Sequence, residues 1–257
     1  MEKKISIVLP TYNGEEDIEE CLESLEKQTF KDFELIIIDD GSEDNTRKLL
    51  DSLGYKYYKN EQNLGFAKTL NKGIRLSEGE YILILDQDMV FEKDYLLKMI
   101  EKNNDFVSGR MYYYHQKDKI RGFNLKVNLL TGRSTLIGRN QIDRGQFNNI
   151  KNIQSMGGGC FIFKREVANK IGLFDENFNL DFVDVDFCFR AREKGYKISH
   201  CSAKCFHKKE EDDVYSEKRL RNYYIGKKRF LKKHSPYYPV CIIPITLKEI
   251  YLKIINR

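Results

Sequence analysis

The chain has 257 residues, enough for one large α/β domain or a domain with a small appendage. Its 41% hydrophobic and 12% aromatic residues exclude a disordered or low-complexity chain, and no apolar run is long enough to span a bilayer. The net charge of +5 is uneven: Lys218 to Arg257 hold eleven Lys and Arg against Glu249 alone, a tail of +10, and leave −5 on residues 1–217. Such a tail suits an anionic partner, or it is the solvated face of a helix. The six cysteines are scattered, mostly within apolar segments, and Met1-Glu-Lys-Lys leads straight into a strand. Free thiols, no secretory signal and a cytoplasmic location are the expectation.

Residues 5–9 read as a buried strand stopped by Pro10, and Thr11 to Gly14 as a turn. Apolar positions at Ile18, Cys21, Leu22 and Leu25 give a helix within 15–28. Phe33 to Ile38 is the next strand, and Ser42 or Asp44 can cap a helix to about Leu53. Tyr55 to Tyr58 is a third strand, Asn63-Leu-Gly65 turns into a helix through Leu76, and Tyr81 to Leu85 is a fourth strand. A helix over 92–102 and a strand from Asp105 to Met111 complete the half. Apolar strands alternating with helices imply an α/β fold on a mostly parallel sheet with right-handed crossovers. No G-x-G-x-x-G fingerprint or Walker loop is present.

Residues 112–155 are polar and without period, an irregular excursion with a hairpin and a mobile loop near 134–150. An apolar strand follows Gly157-Gly-Gly159, then helices at 165–171 and 184–194, and a strand or pair of strands from Tyr196 to Phe206. A basic helix at 215–234 and an amphipathic one at 244–256 end the chain.

Three constellations could carry chemistry. Tyr81-Ile-Leu-Ile-Leu85 ends in Asp86-Gln87-Asp88, two carboxylates at i and i+2 at the mouth of a buried strand. Like charges there repel and resist dehydration, and a divalent cation would hold them; capping of the next helix is the other reading. Asp39 and Asp40 end another strand, and in a parallel sheet Asp40 and Asp88 would face one cleft. Capping also accounts for Asp39. Gly157 to Gly159 would bare backbone N–H groups to a ligand or form a bulge. Asp181, Asp184 and Asp186 form a third acidic group, with Asp184 and Asp186 at a helix start, where the dipole favours negative charge and where a general base could also sit. Cys201, Cys205 and His207 lie close in sequence, but no fourth ligand completes a zinc spacing.

These segments resemble the inverting, metal-dependent glycosyltransferases of family two, with the GT-A fold. The resemblance is carried by Ile7-Val-Leu-Pro-Thr-Tyr-Asn13, Ile37-Ile-Asp-Asp-Gly-Ser-Glu-Asp-Asn-Thr46, Asn63-Leu-Gly-Phe-Ala, Asn71-Lys-Gly-Ile74, Gly79-Glu-Tyr-Ile82, Leu85-Asp-Gln-Asp88, Gly157-Gly-Gly-Cys-Phe and Asp184-Val-Asp-Phe-Cys-Phe-Arg190. It runs from about residue 4 to 207. It implies a GT-A domain over 1–214, with a nucleotide half at 1–111 and an acceptor half at 112–214, followed by a basic helical tail at 215–257. It implies a nucleotide-sugar site of Pro10, Thr11, Tyr12, Asn13, Asp40, Asn63, Gly65, Lys68, Asp86, Gln87, Gly158 and Gly159. Within it, Pro10, Thr11 and Tyr12 would lie against the nucleoside, Asp40 would bind the base and Asp86 would sit near the ribose. Asp88, closing a DxD motif, and His207 would ligate a divalent metal, Mg or Mn. Asp184 would be the base, although Val183 stands where the family usually has Glu. The Asp-Gln-Asp and Asp-Val-Asp-Phe-Cys-Phe-Arg runs look most like a rhamnosyltransferase branch.

The partners implied are a nucleoside-diphosphate sugar, a glycan or lipid-linked acceptor and an anionic membrane surface against 218–257, with no nucleic acid. A nucleotidyltransferase is a rival reading, but its basic glycine-rich loop is replaced here by the acidic Pro10-Thr-Tyr-Asn-Gly-Glu-Glu. A sugar-binding or membrane-scaffolding module without catalysis is the third, opposed by the acids at 86, 88 and 184.

Overall fold

The computed structural model describes residues 4–151, 153–157, 159–209 and 217–255. In chain order the first half is β1 (Ile5–Thr11), α1 (Ile18–Glu26), β2 (Phe33–Asp39), α2 (Thr46–Ser52), β3 (Tyr57–Lys59), α3 (Phe66–Leu76), β4 (Tyr81–Leu85), β5 (Met89–Phe91), α4 (Tyr95–Glu101) and β6 (Phe106–Tyr113). The polar excursion holds four short strands, β7 (Ile120–Gly122), β8 (Asn124–Val127), β9 (Ser134–Leu136) and β10 (Ser155–Met156). Then come β11 (Cys160–Lys164), α5 (Arg165–Ile171), α6 (Val183–Glu193), β12 (Ile198–His207), α7 (Glu217–His234) and α8 (Tyr238–Ile255).

The central sheet runs β3-β2-β1-β4-β11-β6-β12-β5, with β7 beside β6. It is mostly parallel, as expected of the GT-A class, but β11 lies antiparallel between β4 and β6, and β5 is antiparallel to β12. Because β11 opposes both neighbours, β4 and β6 point the same way, and β12 follows β6. The carboxyl ends of β1, β2, β4, β6 and β12 therefore share one edge, which the amino end of β11 also reaches through the pairing of Cys160 with Leu85. Alternate side chains of each strand feed two apolar layers. Val8, Ile82 and Ile84 join α3, α5, α6 and α7 on one face, whereas Ile7, Leu9, Leu83 and Leu85 join α1 and α4 on the other.

Four expectations are corrected. β1 does not stop at Pro10 but runs to Thr11, because its pairing with β4 ends at Val8 while that with β2 continues, so Pro10 has a strand on one side only. The helix expected at 92–102 starts at Tyr95, after the short β5. The last helix starts at Tyr238 rather than 244 and continues through Pro244. Asp86 to Asp88 form a turn between β4 and β5, not a strand extension, so their proximity comes from the turn.

The tail helix α7 is part of the core. Tyr224, Phe230 and Leu231 pack in the same layer as α6, and Phe230 stacks on Phe182 at 5.3 Å. Its last turn closes on Asp186, which is fully buried: His234 Nε2 lies 2.8 Å from Oδ1, Lys233 Nζ also 2.8 Å from Oδ1, and Arg190 Nε donates to Oδ2 at 2.8 Å. Asp186 is thus a structural acid. Burial opposes its charge, but the hydrogen bonds from His234, Lys233 and Arg190 outweigh burial and hold its carboxyl below the ordinary 3.8. A carboxylate so lowered contributes stability above that value and loses it as pH falls through the folded value. Asp186→Asn strands the cations Lys233 and Arg190 and the buried His234 ring, and we expect it to cost about 3–5 kcal/mol in urea unfolding. The deficit should shrink as the pH is lowered below 4; an unchanged midpoint would dismiss this role.

Candidate active site

The loop after β1 is built against the β4 turn. Gln87 Oε1 accepts from Thr11 Oγ1 at 2.6 Å and from the Tyr12 N–H at 3.0 Å, and its amide nitrogen reaches the Tyr12 carbonyl at 3.3 Å. A Cβ at Gly14 would overlap the Gln87 amide and displace it from Thr11 and Tyr12. Asn13 sits in the left-handed region at φ 49° and bridges to the loop after β2: its N–H donates to Ser42 Oγ and its Oδ1 accepts from Glu43 N–H. Gln87 and Asn13 thus order the loop that exposes Tyr12, while Pro10 is buried inside β1.

Asp39 is fully buried and spent on structure, accepting from the Ser42 N–H and lying 3.6 Å from Arg47 Nε. Asp40 is 4% exposed, and accepts from Asn60 Nδ2 at 2.8 Å, Leu64 N–H at 2.9 Å and Gly65 N–H at 3.0 Å. These three donors fix the 60–65 turn, which includes Asn63, onto the end of β2. A carboxylate has about four acceptor positions, so roughly one remains for a ligand. Gly65 and Lys68 line an open cleft of about 250 Å³ with Glu176 to Asn179.

Asp86, Asp88 and Asp184 converge at the sheet edge. Burial first, then the charges of Asp88 and Asp184, push the Asp86 carboxyl up to about 7. Asp86 and Asp184, nearly a hundred residues apart in the chain, thus feel each other's charge. Gly159 makes room for Asp86: its carbonyl accepts the Asp86 N–H at 2.7 Å, and a Cβ there would overlap the Asp86 carboxylate. Gly158 lies outside the described residues.

Asp88 is 8% exposed and its Oδ1 is buried with no hydrogen-bond partner. The pairing of β12 with β5 sets His207 opposite Met89, and His207 Nε2 lies 3.5 Å from Asp88 Oδ2. His207 Nδ1 lies 2.8 Å from the Lys209 carbonyl, which only accepts, so Nδ1 carries the proton. Burial drives the His207 pKa down, against the pull of Asp88, which keeps the ring neutral and turns the Nε2 lone pair toward Asp88. A lone pair facing a carboxylate, next to an orphaned carboxylate oxygen, is a donor set that fits a divalent cation. Among the described residues no group of three or more His, Cys, Asp or Glu could hold a metal ion. Cys205 instead lies 3.4 Å from the Arg110 carbonyl, and Cys201 3.5 Å from Met99 Sδ.

Asp184 stands in the first turn of α6, accepting from the Val185 N–H at 2.9 Å. The residue before α6, Phe182, has φ 69°, a conformation costly for a bulky side chain. It is held there by Phe230 and Tyr223 of α7, while Gly226 of the same helix lies against the Asp181 carbonyl. The tail thereby fixes the backbone that aims Asp184, a role that its charge pattern alone does not suggest. Arg121 and Lys209 are also absent from the expected set, yet both charges act on Asp86 and His207. Lys209, two residues past His207, was findable by position; Arg121 lies in a run without period.

Comparison with known proteins gives the family. Residues 6–172 match the family described as Glycosyl transferase family 2. Glycosyltransferase GlyG of Streptococcus pneumoniae serotype 4 (strain ATCC BAA-334 / TIGR4) is 34% identical over 127 residues, 46% of this chain and 42% of that protein. The amylovoran biosynthesis glycosyltransferase AmsB of Erwinia amylovora is 33% identical over 206 residues, 75% of this chain and 65% of AmsB. The chain thus spans less than two thirds of either relative. Among solved structures, GalNAc-T7 with UDP, GalNAc and Mn2+ superposes with a TM-score of 0.68 at 17% identity, over 87% of this chain and 47% of that one. S. aureus TarS 1-349 with UDP-GlcNAc gives 0.60 at 23%, over 88% and 65%. At those identities the likeness is one of fold. With a family match over more than half its length, the chain belongs to glycosyl transferase family 2.

Proposed function

We propose that the chain moves a sugar from a UDP- or dTDP-linked donor to a hydroxyl of a glycan or lipid-linked acceptor in cell-surface polysaccharide synthesis. The observation that carries this reading is the convergence of Asp86, Asp88 and Asp184 at the sheet edge beside His207. Asp88 and His207 would hold Mg2+ or Mn2+. When bound, such a cation supplies Lewis-acid neutralisation of the departing diphosphate. Pro10, Thr11 and Tyr12 flank the nucleoside, and Asp40 offers its remaining acceptor position to a base N–H. Asn13 and Gln87 hold that loop, and Asn63 offers a contact from the 60–65 turn that Asp40 fixes. Gly65, Lys68, Gly158 and Gly159 complete the donor site, with Asp86 near the ribose. Asp184 takes the proton of the acceptor hydroxyl, whose oxygen attacks the anomeric carbon opposite the leaving group, a single displacement with inversion.

The chain's rhamnosyltransferase-like runs make dTDP-rhamnose the first donor to test, and AmsB's role in amylovoran biosynthesis supports a polysaccharide acceptor. In this reading residues 1–111 serve the donor and 112–214 the acceptor; the boundary with the tail at 214/215 lies outside the described residues. Thermal-shift screening against nucleotide sugars with Mn2+ or Mg2+, followed by assay of released UDP or dTDP, tests it. Failure of every donor to bind and turn over would reject it.

The tail gives a further expectation, for the cytoplasmic face of a membrane. No helix among the described residues is long and apolar enough to cross one. Tyr237, Val240 and Ile243 are 55%, 63% and 59% exposed on a tail of net charge +10. Apolar contact and basic charge together favour peripheral binding to anionic lipid. In liposome co-sedimentation, binding should rise with phosphatidylserine content and fall with salt. Binding indifferent to both would remove the membrane from the account.

A further inference from the structure

His207 and Asp88 come from different parts of the chain, and they do not hold each other. His207 Nε2 and Asp88 Oδ2 are 3.5 Å apart, beyond the roughly 2.7–3.2 Å of an N–H···O hydrogen bond. Their approach is set by the backbone and by what anchors it. β12 and β5 pair as far as His207 with Met89. The Lys208 N–H carries that ladder one step further, donating to the Asp88 carbonyl at 3.0 Å. In the next residue the Lys209 carbonyl faces the His207 ring.

The Lys208 side chain leaves this turn for the start of α1. Its Nζ donates to the Glu16 carbonyl at 2.8 Å and lies 3.5 Å from both Asp17 Oδ1 and Glu20 Oε2. Tyr114 reaches the same helix: its neighbour Tyr113 pairs with His207, and its hydroxyl donates to Glu20. The start of α1 is in turn fixed to the loop that meets the acid turn. The Gly14 carbonyl accepts from the Asp17 and Ile18 N–H groups, and Gly14 abuts the Gln87 amide. Lys208 thus closes a ring of contacts that runs from Asp88 through Gln87, Gly14 and Asp17 and back to the Asp88 carbonyl.

We propose that Lys208 is a positioning residue of the metal site. By anchoring the 207–209 turn to α1 it presets the separation of His207 from Asp88, so that a divalent cation meets two ligands already in place. This rests on the Asp88 and His207 reading above and adds a residue that acts through those ligands. Charge alone gives the opposite expectation: an ammonium near a cation repels it, so its removal should tighten binding.

Titration of Mn2+ alone into wild type, Lys208→Met, Lys208→Arg and Lys209→Met, followed by electron paramagnetic resonance of the free ion, tests the assignment. Lys208→Met keeps the apolar stem and the backbone N–H but loses the tether. It should weaken Mn2+ binding by roughly 10- to 100-fold, the range for groups that orient metal ligands. Lys208→Arg keeps a charged donor and should restore part of the loss. Lys209→Met takes a cation from the same Asp17 but keeps the carbonyl that faces His207, and should not weaken binding. Thermal melts without metal report the fold separately. Mn2+ binding by Lys208→Met as tight as wild type or tighter, whatever its melt, overturns the positioning role, as does an equal loss in Lys209→Met. Either result leaves Asp88 and His207 as the ligands. Absence of Mn2+ binding by wild type overturns the ligand pair and the role of Lys208 together.

Discussion

Asp88→Asn should lower turnover by roughly 10²–10³-fold, since the Lewis-acid contribution at stake is several kcal/mol. The carboxylate has a buried oxygen without a partner and faces the lone pair of His207. Replacing one oxygen by an amide NH2 puts a donor where a cation would lie. The loss should be accompanied by loss of the response to added Mn2+ or Mg2+. Stability should not fall, because the Asp88 charge is one of the two that push Asp86 up. Removing it relieves repulsion within the site. A purified variant with wild-type rates, or one that unfolds, would contradict the assignment of Asp88 as a ligand.

Asp184→Asn should cost about 10²–10⁴-fold in kcat, the range of a positioned general base. The amide fits the same first turn of α6, so the fold and the donor affinity should survive. The split distinguishes the two acids: Asp184→Asn should retain metal-dependent binding of UDP or dTDP, and Asp88→Asn should not. Wild-type kcat in Asp184→Asn would give the base role to another residue.

The alternation of apolar strands and helices made the parallel half of the sheet readable, because strands buried on both faces leave continuous apolar runs. Strand direction leaves no such trace. β11 is as apolar as β4, and nothing in Cys160 to Lys164 announces that it runs backward. β5 is only three residues, too short for a period to show, and it moved the start of α4.

The acids at 86, 88 and 184 were legible because charge at the end of a buried strand or the start of a helix calls for an explanation. Their roles separate only in three dimensions. Asp186, two residues from Asp184, is buried under His234 and Lys233, contacts formed by residues some fifty positions away. Asp40 carries three donors from Asn60, Leu64 and Gly65 that no local pattern discloses. The glycine run at 157–159 suggests a bared backbone N–H, whereas the structure gives Gly159 a steric role under Asp86. The basic tail read as a surface; its Phe230 and Tyr223 instead hold Phe182 in place ahead of Asp184.

Anomalous diffraction from a crystal grown with Mn2+ and UDP or dTDP addresses the shared acid pocket most directly. The account predicts a Mn peak within coordination distance of Asp88 and His207 Nε2, with the diphosphate on its open side and Asp184 facing the same space. A Mn site held by other residues, or a nucleotide bound away from the ends of β1, β2 and β4, would contradict it.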